Sequence, residues 1–211
     1  MDMTVTAIEP YPKGKGRVSV YLNDKFAFVL YKGELSQYGL ECGKTVDDEL
    51  YGRIMNETLI LRAKKRGMNL LQSMDRTESD VRRKLSEGGY PQEAVDAAIE
   101  YLKSFHYIDD MRYASDYIRY KSGSFSRRQI MMKLSEKGIH KDIIEAAFAE
   151  SDEYHDEEGA DTEKELIRKL VLKRCPQGTG SLDYEGRRRL VSYLYGKGFS
   201  LSDIDDVLDI T

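Results

Sequence analysis

The sequence predicts a mainly α protein: an elongated array of three tandem three-helix repeats, led by a small N-terminal domain that contains a β-hairpin. Three observations carry that prediction. A block of about twelve residues recurs three times in register, each copy ends on a glycine and runs into a second periodic stretch, and only the first 46 residues carry strand-like runs. One such unit buries too little surface alone, so its copies must stack.

Residues 1–46 form the β-rich domain. Val5–Ile8, Arg17–Leu22 and Lys25–Leu30 are strand-like, and Asn23-Asp24 joins the last two as a two-residue turn suited to positive φ. Val18, Val20 and Leu22, with Phe26, Phe28 and Leu30, give the hairpin one apolar face. A two-stranded hairpin is marginal in water, so that face is expected to cover something else. The Lys-Gly-Lys-Gly loop ending at Gly16 lacks the GxxxxGK[ST] frame of a phosphate cradle and is taken as a basic turn.

The helical part begins at residue 47. Ser79–Tyr90, Arg128–Ile139 and Arg188–Phe199 align, with Leu85, Leu134 and Leu194 in register, then Gly89, Gly138 and Gly198, then Tyr90, Ile139 and Phe199. After each comes a second run: Val95/Ala98/Ile99, Ile144/Ala147/Phe148 and Ile204/Val207/Leu208. The spacing predicts a helix, a glycine in the left-handed C′ position, and another helix. Ser126 and Ser200 suit N-caps. A further helix precedes each block, at roughly 47–72, 110–121 and 162–174. Repeat 1 thus occupies 47–108 and repeat 2 occupies 109–151. An acidic linker and repeat 3 fill 152–211.

Composition narrows the function. With 40% hydrophobic and 33% charged residues the chain is expected to fold, and a net charge of −4 argues against a strongly cationic DNA-coating protein. No signal sequence and no apolar run of about 18 residues appear. Cys42 and Cys175 form no ligand spacing and fit a reducing cytosol, so a cytoplasmic monomer off the membrane is expected. Charge is uneven. Residues 62–84 carry eight Lys/Arg against three Asp/Glu, 112–141 eight against two and 164–197 nine against three, while 150–163 holds eight acids. Stacked repeats would turn these blocks into a stripe down one side, the alternative being three solvated helix faces.

Catalytic chemistry is not evident, and neither an enzymatic activity nor a cofactor is expected. His106, His140 and His155 have no second ligand at i, i+4, so no metal site is predicted. Asp109-Asp110 invites a metal-dependent nuclease reading. Helix capping by Asp110 explains it better. The fifteen tyrosines, interspersed with arginine, suit base stacking as well as the edge of a core.

Two stretches carry a family resemblance. Glu100–Tyr117, with Asp109, Asp110, Tyr113 and Ala114, resembles the central signature of RecX regulatory proteins, and Ser124–Ile139 resembles the family's next block, Arg-x-Ile-x-x-x-Leu-x-x-x-Gly-Ile. The resemblance runs from about 57 to 211, and more weakly into the β segment. Tyr113 stands where phenylalanine is usual, and Phe105-His106 replaces a glycine-containing turn. The resemblance implies a negative modulator of the RecA recombinase that binds the groove of the RecA–single-stranded DNA filament. Such a protein suppresses ATP hydrolysis and strand exchange, within DNA repair and the SOS response, and in some members also binds DNA.

Arg127-Arg128 and Arg187-Arg188 take equivalent places at the start of their helices, with Arg82-Arg83 one turn later in repeat 1. Cations at a helix N-terminus oppose the dipole by about 0.3–1 kcal/mol each, so local stability does not account for them. These six arginines are the candidate RecA or DNA contacts. The alternative class is a helix-turn-helix DNA-binding regulator, but the second helices open on acidic residues at two of three places.

Overall fold

The structure, a computed structural model, describes residues 2–12, 14–154 and 162–210. It divides into two compact units, Met1–Asp109 and Asp110–Thr211.

The first unit opens with an antiparallel sheet ordered β3-β2-β1-β4, built from β1 (Met3–Pro10), β2 (Arg17–Leu22), β3 (Lys25–Tyr31) and β4 (Thr45–Val46). The β2–β3 turn has φ of 47° at Asn23 and 63° at Asp24, as its two-residue length requires. Asn23 also ties the hairpin to β1, since its Oδ1 accepts from the Thr4 backbone at 2.9 Å. Val18, Val20, Leu22, Phe28 and Leu30 are buried as expected, but Phe26 is 47% exposed. An irregularity after Val20 sets Tyr21 opposite Phe26 and moves Phe26 off the core face. Its ring meets Tyr21 edge-on at 6.0 Å instead. Helix α1 (Lys32–Tyr38) follows β3 and ends at Gly39, whose φ is 61°.

The helices that follow come in threes. In the first unit α2 (Asp48–Arg53), a π-helical turn (Ile54–Leu59) and α3 (Ile60–Leu71) make one long element, joined by α4 (Glu78–Glu87) and α5 (Gln92–Ser104). The second unit holds α6 (Asp110–Lys121), α7 (Arg127–Glu136) and α8 (Lys141–Tyr154). After them come α9 (Thr162–Arg174), a short 3-10 turn (Thr179–Ser181), α10 (Tyr184–Gly196) and α11 (Leu201–Ile210). Residues 155–161, and with them His155 and the middle of the acidic stretch 150–163, lie outside the described residues.

The recurrent block closes the same way in every repeat. Gly89, Gly138 and Gly198 have φ of 83°, 78° and 91°. The next residue then donates back to the carbonyl of the aligned leucine: Tyr90 to Leu85 at 3.4 Å, Ile139 to Leu134 at 3.2 Å and Phe199 to Leu194 at 3.4 Å. This is the Schellman closure, and it explains why leucine, glycine and an apolar residue recur at fixed offsets. Leu85, Leu134 and Leu194 are fully buried. The sheet and α1 to α5 share one core, α6 to α8 a second, and α9 to α11 a third. Thr77 and Ser126 cap α4 and α7 by accepting from Asp80 and Gln129 at 3.2 Å. Ser200 stands before α11 and accepts from Asp203 at 3.0 Å. His106, in the turn after α5, has a left-handed φ of 54°.

One helix start differs from expectation. Asp183 caps α10 by accepting from Gly186 at 2.7 Å, so the helix begins at Tyr184. Arg127-Arg128 open α7, but Arg187-Arg188 fall in the second turn of α10. The dipole argument therefore applies to the first pair alone.

Candidate partner interface

The six arginines divide by what already holds them. Arg82 donates to Glu78 at 2.7 Å and also pairs with Asp96. Arg83 pairs with Asp80, and with Glu87 at 2.8 Å. These carboxylates raise the pKa of both guanidiniums, Arg82 against an opposing effect of burial. In turn the arginines hold Asp80 and Asp96 below the ordinary carboxylate range. The pair in repeat 1 fastens α4 to itself and to α5, and little of its charge is left for a partner.

Arg127 is also engaged. Its guanidinium lies 4.4 Å from the Phe148 ring centroid, and its backbone N–H donates to Glu163 at 2.8 Å. Arg128 and Arg188 are different: both are exposed and, among the described residues, neither takes part in an ion pair. Arg187 is exposed beside Arg188. The C-terminal end of α10 docks at Ser126, whose N–H donates to the Lys197 carbonyl at 3.2 Å. Arg128 thus sits near the C-terminal end of α10, and Arg188 lies nine residues before Lys197, roughly 14 Å back along the helix.

The signature residues hold α6 in its repeat. Asp110 is the first residue of α6 and Asp109 stands at its cap position. Ala114 is fully buried, which lets the helices approach closely. Tyr113 stacks on Tyr117 at 6.5 Å, with the Lys137 ammonium 5.6 Å from the Tyr113 centroid. Among the described residues, no group of three His, Cys, Asp or Glu is arranged to hold a metal, and no helix is long and apolar enough to cross a membrane.

Comparison with known proteins gives this geometry its context. Four family models match in chain order: the regulatory protein RecX N-terminal domain at 3–47, and the first, second and third RecX three-helix domains at 63–102, 109–147 and 161–208. The regulatory protein RecX of Clostridium acetobutylicum is 32% identical over 98% of this chain and 95% of its own length. The chain belongs to the RecX family. A RecX regulatory protein of Clostridium botulinum is 28% identical over 97% of the chain and 94% of the relative. A crystal structure of a regulatory protein RecX, 27% identical, superposes with a TM-score of 0.60 over 99% of this chain and all of that one. RecX is a family of regulatory proteins, and its three three-helix domains are the three repeats seen here.

Charge counting alone misses how the basic block of this RecX chain is spent. Within 62–84, Arg76 and Arg82 are tied to acids four residues away, and Arg83 to acids three and four residues away. That spacing is legible in sequence. Lys65, Arg66 and Lys84 have no such ion pair among the described residues. Unlike Arg82 and Arg83, they are charge without a local acidic partner among the described residues.

Proposed function

We propose that this chain is a negative modulator of the RecA recombinase, acting on the RecA–single-stranded DNA filament to suppress ATP hydrolysis and strand exchange. The observation that carries the reading is the match to all four RecX domains in order along the chain. The protein binds along the filament groove, and its second and third repeats carry the arginines that meet acidic groups of RecA or DNA phosphates. Of the six candidates, Arg128 and Arg188 bear the electrostatic contact, with Arg127 and Arg187 beside them. Arg82 and Arg83 serve repeat 1 first. In keeping with a role by binding, the chain acts without catalysis of its own, in the cytoplasm where the filament forms. A helix-turn-helix DNA regulator is the weaker reading, since α5, α8 and α11 carry Glu93, Asp142 and Asp203 in their first turns.

The test is titration into a RecA ATPase assay on single-stranded DNA. Wild-type protein should inhibit, less so as salt rises. Arg128→Glu/Arg188→Glu should fold normally, because exposed charges contribute little to stability. It should need about tenfold more protein for the same inhibition, the equivalent of about 1.4 kcal/mol. The four-arginine variant is a poorer probe, because Arg127→Glu would also lose the Phe148 contact and set a carboxylate beside Glu163. Undiminished inhibition by the double variant would leave both arginines as solvated surface.

A further inference from the structure

Where the hairpin sheet meets the first repeat there is a cleft of about 660 Å³. Its position follows from the glycine turn of repeat 1. Gly89 is buried against Val29 of β3, and a Cβ there would overlap that valine and lie 3.5 Å from the Tyr11 ring. The close approach brings the Gly14–Gly16 loop, β3, α3 and α4 around one hollow.

The charged part of the lining is almost wholly cationic. Lys15, Lys65, Arg66 and Lys84 reach it from three elements, and among the described residues none of the four is in an ion pair. Arg17 and Arg62 complete the set. The single carboxylate in the wall is Glu87, and Arg83 already holds it at 2.8 Å. Six positive side chains against one occupied acid, in a chain of net charge −4, is a strongly local accumulation. Like charges crowded around one hollow repel each other, and among the described residues no carboxylate is paired with these four. A polyanion would offset that repulsion.

The walls also carry aromatic planes held in place. Arg62 donates to both Glu34 oxygens at 3.0 and 3.1 Å and to the Val29 carbonyl at 2.8 Å. So anchored, its guanidinium lies 5.1 Å from the Tyr31 centroid and 5.8 Å from that of Tyr90. Across the cleft Arg17 lies 5.0 Å from the Tyr11 centroid, and the Tyr11 hydroxyl donates to the Glu87 carbonyl at 2.8 Å. Tyr31 remains 46% exposed. Loose cations beside fixed tyrosine and arginine planes are what a single-stranded nucleic acid needs: phosphates meet the former, and unpaired bases stack on the latter. An acidic peptide would leave the rings unused, and a duplex has its base faces already stacked.

We infer that this cleft is a binding site for single-stranded nucleic acid, distinct from the arginine positions of repeats 2 and 3. It does not rest on the RecA reading, and its test contains no recombinase. The full chain is titrated against a fluorescein-labelled oligothymidylate by anisotropy, with polyglutamate and a duplex of equal length in parallel. Wild type should prefer the single strand, with affinity falling as salt rises. Lys65→Glu/Arg66→Glu/Lys84→Glu should lose at least about tenfold, and its log–log salt slope should flatten by about two, given roughly 0.7 per phosphate contact on a single strand. Tyr31→Ala should weaken binding several-fold while leaving the slope unchanged. Lys141→Glu/Lys169→Glu/Lys173→Glu, at three exposed lysines of α8 and α9, should bind as wild type does. The inference is overturned by an unchanged affinity in the folded cleft variant, by an equal loss in the α8 and α9 lysine variant, or by tighter binding of polyglutamate or duplex.

Discussion

Gly198 of the third repeat lies directly against Ser126, the residue that caps α7 in the second. A Cβ on this glycine would overlap the Ser126 hydroxyl and lie 2.7 Å from the Gln129 Cβ. Ser126 is 1% exposed and fully used: its Oγ accepts from the Gln129 backbone at 3.2 Å, and its N–H donates to the Lys197 carbonyl at 3.2 Å. The turn that ends α10 is thus also the surface by which one repeat meets the next. Gly89 does the same work in the first unit, against Val29. Two demands, a left-handed φ and the absence of a side chain, converge on the same residue.

Gly198→Ala should therefore cost at least about 2 kcal/mol, combining left-handed backbone strain with the steric overlap. Two positions earlier, Gly196 ends α10 with open space where its Cβ would stand. Gly196→Ala should be neutral or stabilise by up to about 1 kcal/mol. Urea unfolding of both variants separates the cases. Equal stabilities would mean that the turn does not touch its neighbour.

Leu134 is fully buried in the core of α6 to α8, among Ala114, Ile130 and Phe148. Leu134→Ala should cost about 2–5 kcal/mol, the lost transfer energy plus the cavity. An unchanged thermal midpoint would contradict its place in that core.

How far the sequence reached depends on the length of the pattern. The three helical repeats were legible because Leu85, Leu134 and Leu194 each sit four residues before a glycine, and three copies make chance alignment untenable. The hairpin turn was legible because Asn23-Asp24 fits a two-residue connection. α1 and β4 were not: seven residues and two residues carry too little periodicity to stand out. Phe26 was placed on the wrong face because an irregularity beside Val20 breaks the alternation without a glycine or proline to announce it. The repeat register alone puts Arg187-Arg188 at a helix start, whereas Asp183, five residues upstream of that register, is the cap. The basic cleft is a tertiary object. Lys15 and Lys84 are 69 residues apart in sequence, and only the docking of Gly89 on β3 brings their elements together.

Arg62 fastens α3 to the sheet through Glu34 and the Val29 carbonyl, with its side chain 22% exposed. Lysine would keep the charge but lacks the planar fork that reaches both acceptors while lying over Tyr31. Arg62→Lys should cost about 1–3 kcal/mol, as expected for hydrogen bonds to a charged group. A double-mutant cycle with Glu34→Gln should give a coupling of about 0.5–3 kcal/mol. Additive effects would show that the pair is a surface contact only.

The acid sensitivity of the first repeat should trace to Glu78. Burial pushes its carboxyl upward, but hydrogen bonds from Arg82 and Lys103 outweigh this and hold it below its ordinary value. Arg82 donates at 2.7 Å and Lys103 stands at 3.0 Å, so Glu78 joins the first turn of α4 to the last turn of α5. A carboxyl whose folded pKa is depressed adds stability at every pH above its unfolded value, and that stability is lost as pH falls through the folded value. The window therefore opens at the ordinary carboxylate range, about pH 4, and extends below it. Asp80 acts in the same direction: burial opposes the shift, and Arg76 and Arg83 overcome it. Urea unfolding at neutral pH and at about pH 3 should show a marked loss for the wild type. Glu78→Gln should be less stable at neutral pH, since a neutral amide cannot satisfy two cations, and should lose less on acidification. A variant that falls by the same amount as the wild type would assign the acid sensitivity to other carboxylates.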